Sequence, residues 1–367
     1  MNRGMSVGGI SWHLPERFET NEDLVREFGT WTPEKIYKKT GIVRRHIADA
    51  DKPVSHYLAL AGEKFFAEHP AVSPDSIDML VVCCEARDYI VPATACVVHH
   101  KLGLRKSCGA VDYDLGCSGY VYGLSIAKGY IAAGIADRVL LLTGDEVTRY
   151  VNKQDKAIRT IFGDGYTATL LEVSGRDRVT GFDLGTDGSG FRDIIIEAGE
   201  TALPCSESTA AERVNRFGNV HSQENLHMDG RKVLEFSLRE VPGSVQRCLE
   251  RSGVGKEDLD LIVFHQASRL LLEQVREEMQ FPEDKFVISL EDKGNTISST
   301  IPIALGECAE QGRLKAGMKV LLSGFGVGLS WGTVLLEWGT DSGAKQPATI
   351  AAAAPNDNED PLRLNSR

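Results

Sequence analysis

The chain has 367 residues, 42% of them hydrophobic and 25% charged, which is enough to bury a substantial core in two packed halves or one large domain. A formal net charge of -11 argues against nucleic acid as the main partner, although an acidic protein partner needs only a local basic patch. No secretory signal is visible, no apolar run approaches the roughly 20 residues a bilayer requires, and the eight cysteines show no CxxC pairing, so a cytoplasmic protein with reduced thiols and no membrane contact is expected.

Taken in chain order, the first strong strand pattern is residues 77–83, Ile-Asp-Met-Leu-Val-Val-Cys. A second strand, within residues 111–120 (Val-Asp-Tyr-Asp-Leu-Gly-Cys-Ser-Gly-Tyr), stops at a glycine, and an apolar helical segment starts directly after Cys117. A cysteine at the first turn of a helix feels unsatisfied N–H groups and the positive end of the dipole, so its thiolate is favoured and the same groups can hold an oxyanion. The residue type equally fits a buried core cysteine. Residues 181–230, rich in Gly, Ser, Asn and His, have no counterpart earlier in the chain and read as an insertion covering a site, or simply as a loop. Further on, residues 259–268 (Leu-Asp-Leu-Ile-Val-Phe-His-Gln-Ala-Ser) form an apolar strand that delivers His265 at its C-terminal end, where open α/β sheets place their chemistry. Residues 293–300, Lys-Gly-Asn-Thr-Ile-Ser-Ser-Thr, set Asn295 after a glycine and ahead of a helical stretch. His265 alone also fits a satisfied core histidine, and Asn295 alone fits a helix cap.

An internal repeat ties the three together. Residues 77–83 align with 259–265 at an offset of 182, Arg138-Val139-Leu140-Leu141 with Lys319-Val320-Leu321-Leu322 at 181, and Gly116-Cys117 with Gly294-Asn295 at 178, while Leu170-Leu171-Glu172 matches Leu335-Leu336-Glu337. Two copies of one α/β unit are expected: residues 1–174 carrying the cysteine, and 175–340 carrying the histidine and asparagine with the covering insertion 181–230. Packed about a pseudo-twofold axis, they would bring the two helix starts face to face. Residues 341–367, which include Ala-Ala-Ala-Ala-Pro-Asn-Asp-Asn-Glu-Asp, lack a core-forming pattern and read as a flexible tail.

Gly-Cys-Ser-Gly-Tyr, His-Gln-Ala-Ser and Gly-Asn-Thr-Ile-Ser-Ser resemble the Cys, His and Asn motifs of the β-ketoacyl-acyl-carrier-protein synthase III family, in the thiolase superfamily. Leu14-Pro15-Glu16, Lys39-Thr40-Gly41-Ile42, Phe162-Gly163-Asp164-Gly165, Met228-Asp229-Gly230-Arg231 and Gly324-Phe325-Gly326-Val327-Gly328 extend the likeness over about residues 7–338. The resemblance implies an α/β thiolase-like fold layered α-β-α-β-α, a homodimer with residues 88–95 and 110–115 near its interface, and decarboxylative Claisen condensation with malonyl-acyl carrier protein. Cys117 would carry the primer acyl group, and His265 and Asn295 would hold the enolate. The backbone of Cys117, Gly326 and Val327 would form a second oxyanion hole. No permanently bound cofactor and no metal is implied; acyl-CoA or acyl-carrier-protein thioesters are substrates.

Departures from the family pattern fall around the expected CoA or phosphopantetheine residues. Lys35 and Lys156 stand where many members carry the tryptophan and arginine that sandwich adenine, which removes stacking while keeping attraction to phosphate. Trp31, four residues earlier, could restore a plane. Gly230 and Arg231 are further candidates for the same ligand. Ser268 replaces the commoner asparagine, and Arg269, the candidate carrier-protein contact, falls one position early. Competing readings are acyl transfer to an alcohol or amine without decarboxylation, and a silent subunit of a heterodimeric synthase.

Overall fold

The computed structural model describes residues 3–340; the expected tail at 341–367 lies outside them. The chain runs β1 (Gly4–His13), β2 (Phe18–Thr20), α1 (Asn21–Phe28), α2 (Pro33–Thr40), β3 (Arg44–His46), α3 (Val54–Glu68), β4 (Met79–Cys83), α4 (Thr94–Lys101), β5 (Gly109–Tyr113), α5 (Gly119–Ala132), β6 (Arg138–Asp145), α6 (Lys156–Arg159) and β7 (Gly165–Ser174). It continues with β8 (Val179–Thr186), β9 (Ile194–Ile195), α7 (Glu207–Ala210), β10 (Arg213–Val214), β11 (Val220–His221), β12 (His227–Met228), α8 (Gly230–Ser252), β13 (Leu261–Phe264), α9 (Arg269–Glu278), α10 (Thr300–Glu310), β14 (Lys319–Gly326) and β15 (Ser330–Glu337). Local chemistry sets several of these ends. Thr20 and Asp23 form a capping box at the start of α1, Gly29 ends it at φ +63°, and Asp229 accepts from two N–H groups to start α8.

One sheet has the order β1-β7-β6-β4-β5 and the other β8-β15-β14-β13, so the second repeats the first except at its last position. There a single parallel bridge from Ile262 to Phe286 replaces a full strand. In each sheet the first two pairings in these orders are antiparallel (β1–β7 and β7–β6, β8–β15 and β15–β14) and the remaining ones parallel (β6–β4 and β4–β5, β14–β13). β4, β6, β13 and β14 are almost wholly buried, as apolar strands covered on both faces should be.

Helices α5 and α10 touch both sheets, whereas α3 and α4 cover only the outer face of the first and α8 that of the second. The result is a five-layer α-β-α-β-α stack. Its central core takes Tyr120, Leu124 and Ile131 from α5 and Ile301, Ala304 and Leu305 from α10, packed against Val81, Leu141, Val263 and Leu322 of the strands. This layer matters for function because both of its helices begin at the same place, between the sheets.

The covering insertion begins later than residue 181. Residues 179–186 are β8, the edge strand of the second sheet paired with β15, and the cavity-lining residues of this segment begin at Ile194. Asp183 hides the strand signal: it occupies a buried position that reads as polar, and Arg247 satisfies it with two hydrogen bonds of 2.9 Å.

Candidate active site

Cys117 follows β5 through Asp114-Leu115-Gly116, and three contacts fix this turn. The Cys83 thiol donates to the Leu115 carbonyl (2.8 Å), the Tyr113 hydroxyl donates to the Gly119 carbonyl (2.7 Å), and the Ser118 and Ser330 hydroxyls meet at 2.7 Å across the two sheets. β14 of the other half ends against the thiol. A methyl on Gly326 would sit 2.6 Å from Sγ, so the approach requires glycine. The Val327 N–H hydrogen-bonds to the sulfur.

The expected favoured thiolate is not what the free protein holds. Burial first, and the nearby Glu85 charge second, push the Cys117 thiol up to about 12, against the opposing Val327 and Cys117 N–H groups. Two or three backbone dipoles do not offset desolvation plus a neighbouring carboxyl. The thiol therefore keeps its proton until a substrate enters.

His265 leaves the end of β13, its N–H bonded to the Ser323 carbonyl at 2.8 Å, and is 1% exposed. Gln266 braces it from behind, donating to the Phe264 and Val287 carbonyls (2.7 and 3.2 Å) and accepting from Ser289 N–H (2.7 Å). Ser268, at the end of the same motif, caps α9 by accepting from Leu271 N–H. The Thr300 Oγ1 lies 2.8 Å from His265 Nδ1 and 2.9 Å from the Ile297 carbonyl. Its one proton can go to either, and that choice selects which ring nitrogen of His265 carries hydrogen toward the cavity.

Burial pushes the imidazole down to about 3, partly offset by a backbone contact to Ile297. His265 is thus neutral at working pH. A histidine whose folded value is depressed binds its proton more readily when unfolded, so this group costs stability as pH falls from about 6.5 toward 3. The imidazole carbon-bound protons of His265 should accordingly show no titration shift in NMR spectra between pH 8 and 5; a step near 6.5 would contradict this burial.

Asn295 is set by the Phe162-Gly163-Asp164-Gly165 segment. Its N–H donates to the Ile161 carbonyl (2.9 Å), and its carbonyl accepts from Gly163 N–H (3.0 Å). Gly163 is obligatory there because a Cβ would stand 2.3 Å from the Lys293 carbonyl oxygen. The asparagine side chain does not cap α10, which starts after Ser299. Its Oδ1 accepts from Ile297 N–H at 2.9 Å, leaving the amino group as the free end. Ile297 pays for this turn with φ +54°, a left-handed conformation rare for a β-branched residue.

Cys117, His265 and Asn295 all line one cavity of about 460 Å³. Its apolar wall includes Ile194, Leu226 and Met228 from the covering segment, and Phe325 and Val327 from the second sheet. Glu85 also lines it. Two further acidic groups escape notice in the sequence. Asp145 at the end of β6 is 1% exposed and accepts from Glu85 N–H (2.8 Å), Ser298 N–H (3.2 Å) and the Ser298 hydroxyl, joining the two halves beneath the site. Burial raises it to about 6. Asp164 accepts from Ala48 N–H (2.8 Å) and the Thr148 hydroxyl (2.6 Å) behind the Asn295 turn.

The residues expected to hold CoA or a carrier do not line this cavity. Lys35 and Lys39 both place their ammonium groups 4.8 Å from the Trp31 ring centroid, so that plane is already occupied. Lys156 and Gly230 are the first residues of α6 and α8, and Arg231 is an exposed partner of Glu235. Arg269, at the start of α9, lies over the Tyr37 ring of α2 and pairs with Glu291 at 3.5 Å. Arg269 thus meets the Tyr37 side of α2, whereas Lys35, two residues earlier and drawn to Trp31 with Lys39, lies on a different side of that helix. Among the described residues no group of three or more His, Cys, Asp or Glu side chains is placed to hold a metal, and no helix is long and apolar enough to cross a membrane.

Two sheets of repeated order, a shared helix layer and a thiol at the start of one of its helices define a thiolase-like α/β protein. Residues 111–188 match the family described as 3-oxoacyl-[acyl-carrier-protein (ACP)] synthase III, and residues 249–338 match its C-terminal region. The chain is 34% identical over 338 residues to a β-ketoacyl-[acyl-carrier-protein] synthase III of Bacillus cereus, covering 91% of this chain and 100% of the relative. A solved 3-oxoacyl-(acyl-carrier-protein) synthase III superposes with TM-score 0.90 at 42% identity, over 91% of this chain and 100% of that one. The 3-oxoacyl-(acyl-carrier protein) synthase of Burkholderia xenovorans gives 0.85 at 32%, covering 92% and 95%. The chain belongs to the 3-oxoacyl-[acyl-carrier-protein] synthase III family.

Proposed function

We propose that this protein is an acyltransferase that joins a primer acyl group, carried on Cys117, to malonyl-acyl carrier protein with loss of carbon dioxide. The observation that carries this reading is the convergence of Cys117, His265 and Asn295 on one largely apolar cavity. In the first half-reaction Sγ attacks the carbonyl carbon of the primer thioester, and the thiol proton ends on the departing thiolate. The oxyanion sits at the N–H groups of Cys117 and Val327, backbone donors that are indifferent to the side chain at 327. In the second, the malonyl thioester oxygen accepts from the Asn295 amino group and from Nε2–H of His265, which requires the Thr300 hydroxyl to donate to Nδ1. Breaking the carbon-carbon bond to the carboxylate leaves an enolate whose carbon attacks the acyl carbonyl, and the released Cys117 thiolate takes up a proton. A neutral imidazole suits this role, since it donates without adding a charge that the buried site would have to solvate.

β5 is an edge strand, and Tyr89, Ile90 and Val91 beside it are 59%, 84% and 80% exposed. An uncovered edge and a run of exposed apolar side chains support a homodimer paired along this side. Sedimentation at micromolar concentration should give the dimer mass, and a monomer would contradict it. The cations Lys35 and Lys39 on α2 and Arg269 on the neighbouring α9 support docking of an acidic carrier or the phosphates of CoA by charge rather than by adenine stacking.

Incubating the acylated protein with malonyl carrier protein labelled at the free carboxyl tests the reaction: one labelled carbon dioxide per β-ketoacyl product is expected. Acyl transfer to an alcohol or amine with no release of label would favour the non-decarboxylating alternative instead.

A further inference from the structure

Glu85 has no part in the chemistry above. It follows β4 and lines the cavity beside the nucleophile. Both carboxyl oxygens lie 2.8 Å from the point where a Cβ on Gly116 would stand, and Val327 Cγ1 lies 2.7 Å from that same point. The carboxyl is therefore wedged against the residue preceding Cys117 and the residue whose N–H holds its sulfur.

Only its backbone is satisfied, through the Glu85 N–H to Asp145. The nearest cation on the cavity wall, Arg87, is paired with Asp114 at 3.2 Å. Among the described residues none donates to the Glu85 side chain. Burial, and then Asp145 and Asp114, hold this carboxyl well above the usual range. A carboxyl with no donor of its own, in a wall it shares with the acidic Asp88, Asp114 and Glu200, costs stability to the extent that it is desolvated, and here it also raises the thiol it adjoins. An aliphatic side chain would serve a purely hydrocarbon primer better on both counts.

Resting on the reading of Cys117 as the acyl carrier, we propose that Glu85 selects the primer: the acyl group bears a hydrogen-bond donor, a hydroxyl or an ammonium, within its first few carbons from the thioester. Attached to Sγ, such a chain lies in the cavity that Glu85, Ile194 and Leu226 line together, with the Glu85 carboxyl against the residue preceding Cys117. A hydroxyl can donate to the Glu85 carboxyl in either protonation state. An ammonium would draw it into the ionised form and leave a paired charge in the cavity.

The test uses pantetheine thioesters, which bypass recognition of CoA or a carrier. Rates of Cys117 acylation by butyryl, 3-hydroxybutyryl and 3-aminobutyryl pantetheine are read by intact-mass spectrometry on the full chain. One of the two substituted acyl groups should exceed butyryl by roughly tenfold to a hundredfold, the range expected for one hydrogen bond to a charged or buried carboxyl. The arm that wins identifies the donor. Glu85→Leu should invert the ratio in favour of butyryl, and Glu85→Gln, which keeps the shape, should lower it. Butyryl reacting as fast as both others in the unaltered protein overturns the proposal, whether or not the leucine variant folds. So does an equal slowing of all three thioesters in Glu85→Gln, which would assign the carboxyl to the thiol proton. Failure of every thioester to acylate Cys117 would instead remove the carrier reading beneath it.

Discussion

Replacing Cys117 by alanine should abolish acylation while leaving the protein folded. All eight cysteines are free thiols, so no cross-link is lost. The sulfur is packed against Gly326 and bonded to Val327 N–H, and removing one buried atom there costs on the order of 1 kcal/mol. Against that small structural cost stands a complete chemical one, because no other thiol lines the cavity. Intact mass after incubation with primer thioester should show no adduct, while circular dichroism and melting remain close to the parent. Stoichiometric acylation of the variant would end the assignment.

His265→Ala and Asn295→Ala should separate the two half-reactions. In the proposed roles neither residue holds the oxyanion of acyl transfer, which is assigned to backbone N–H groups, so Cys117 should still be acylated at a rate near the parent's. Decarboxylation should fall by about a hundredfold or more in each, the usual cost of losing one preorganised donor at a developing oxyanion. Of the two, Asn295→Ala is the cleaner test. His265→Ala also strips the Thr300 hydroxyl of a partner, and Asn295→Ala loses only the local bond to Ile297 N–H. Unchanged condensation in both variants would rule out the enolate-holding role.

Much of this arrangement is legible in the residues themselves. Strands buried on both faces read as continuous apolar runs, and their recurrence about 180 residues apart exposes the repeated sheet order and places Cys117 and Asn295 at matching helix starts. Hidden from such a reading is the polar chemistry that only tertiary contacts explain. β8 goes unseen because its buried position holds Asp183, made tolerable by Arg247 more than sixty residues away. The rise of the Cys117 thiol escapes a reading from helix dipoles because it depends first on burial and then on Glu85, both products of the tertiary fold. A signal for Glu85 is present all the same: residues 77–83 align with 259–265, so Glu85 matches Ala267, and both line the cavity. Lys35 and Arg269, distant in sequence, come onto neighbouring helices only because α2 packs on α9.

The most direct measurement is a single turnover. Protein acylated on Cys117 and freed of primer is mixed with malonyl carrier protein, and the mass of the Cys117 peptide, the carrier and released carbon dioxide are followed together. The adduct should disappear at the rate carbon dioxide forms, one for one, as the β-ketoacyl carrier appears. An adduct that persists while carbon dioxide is released, or is lost only to water, would contradict it.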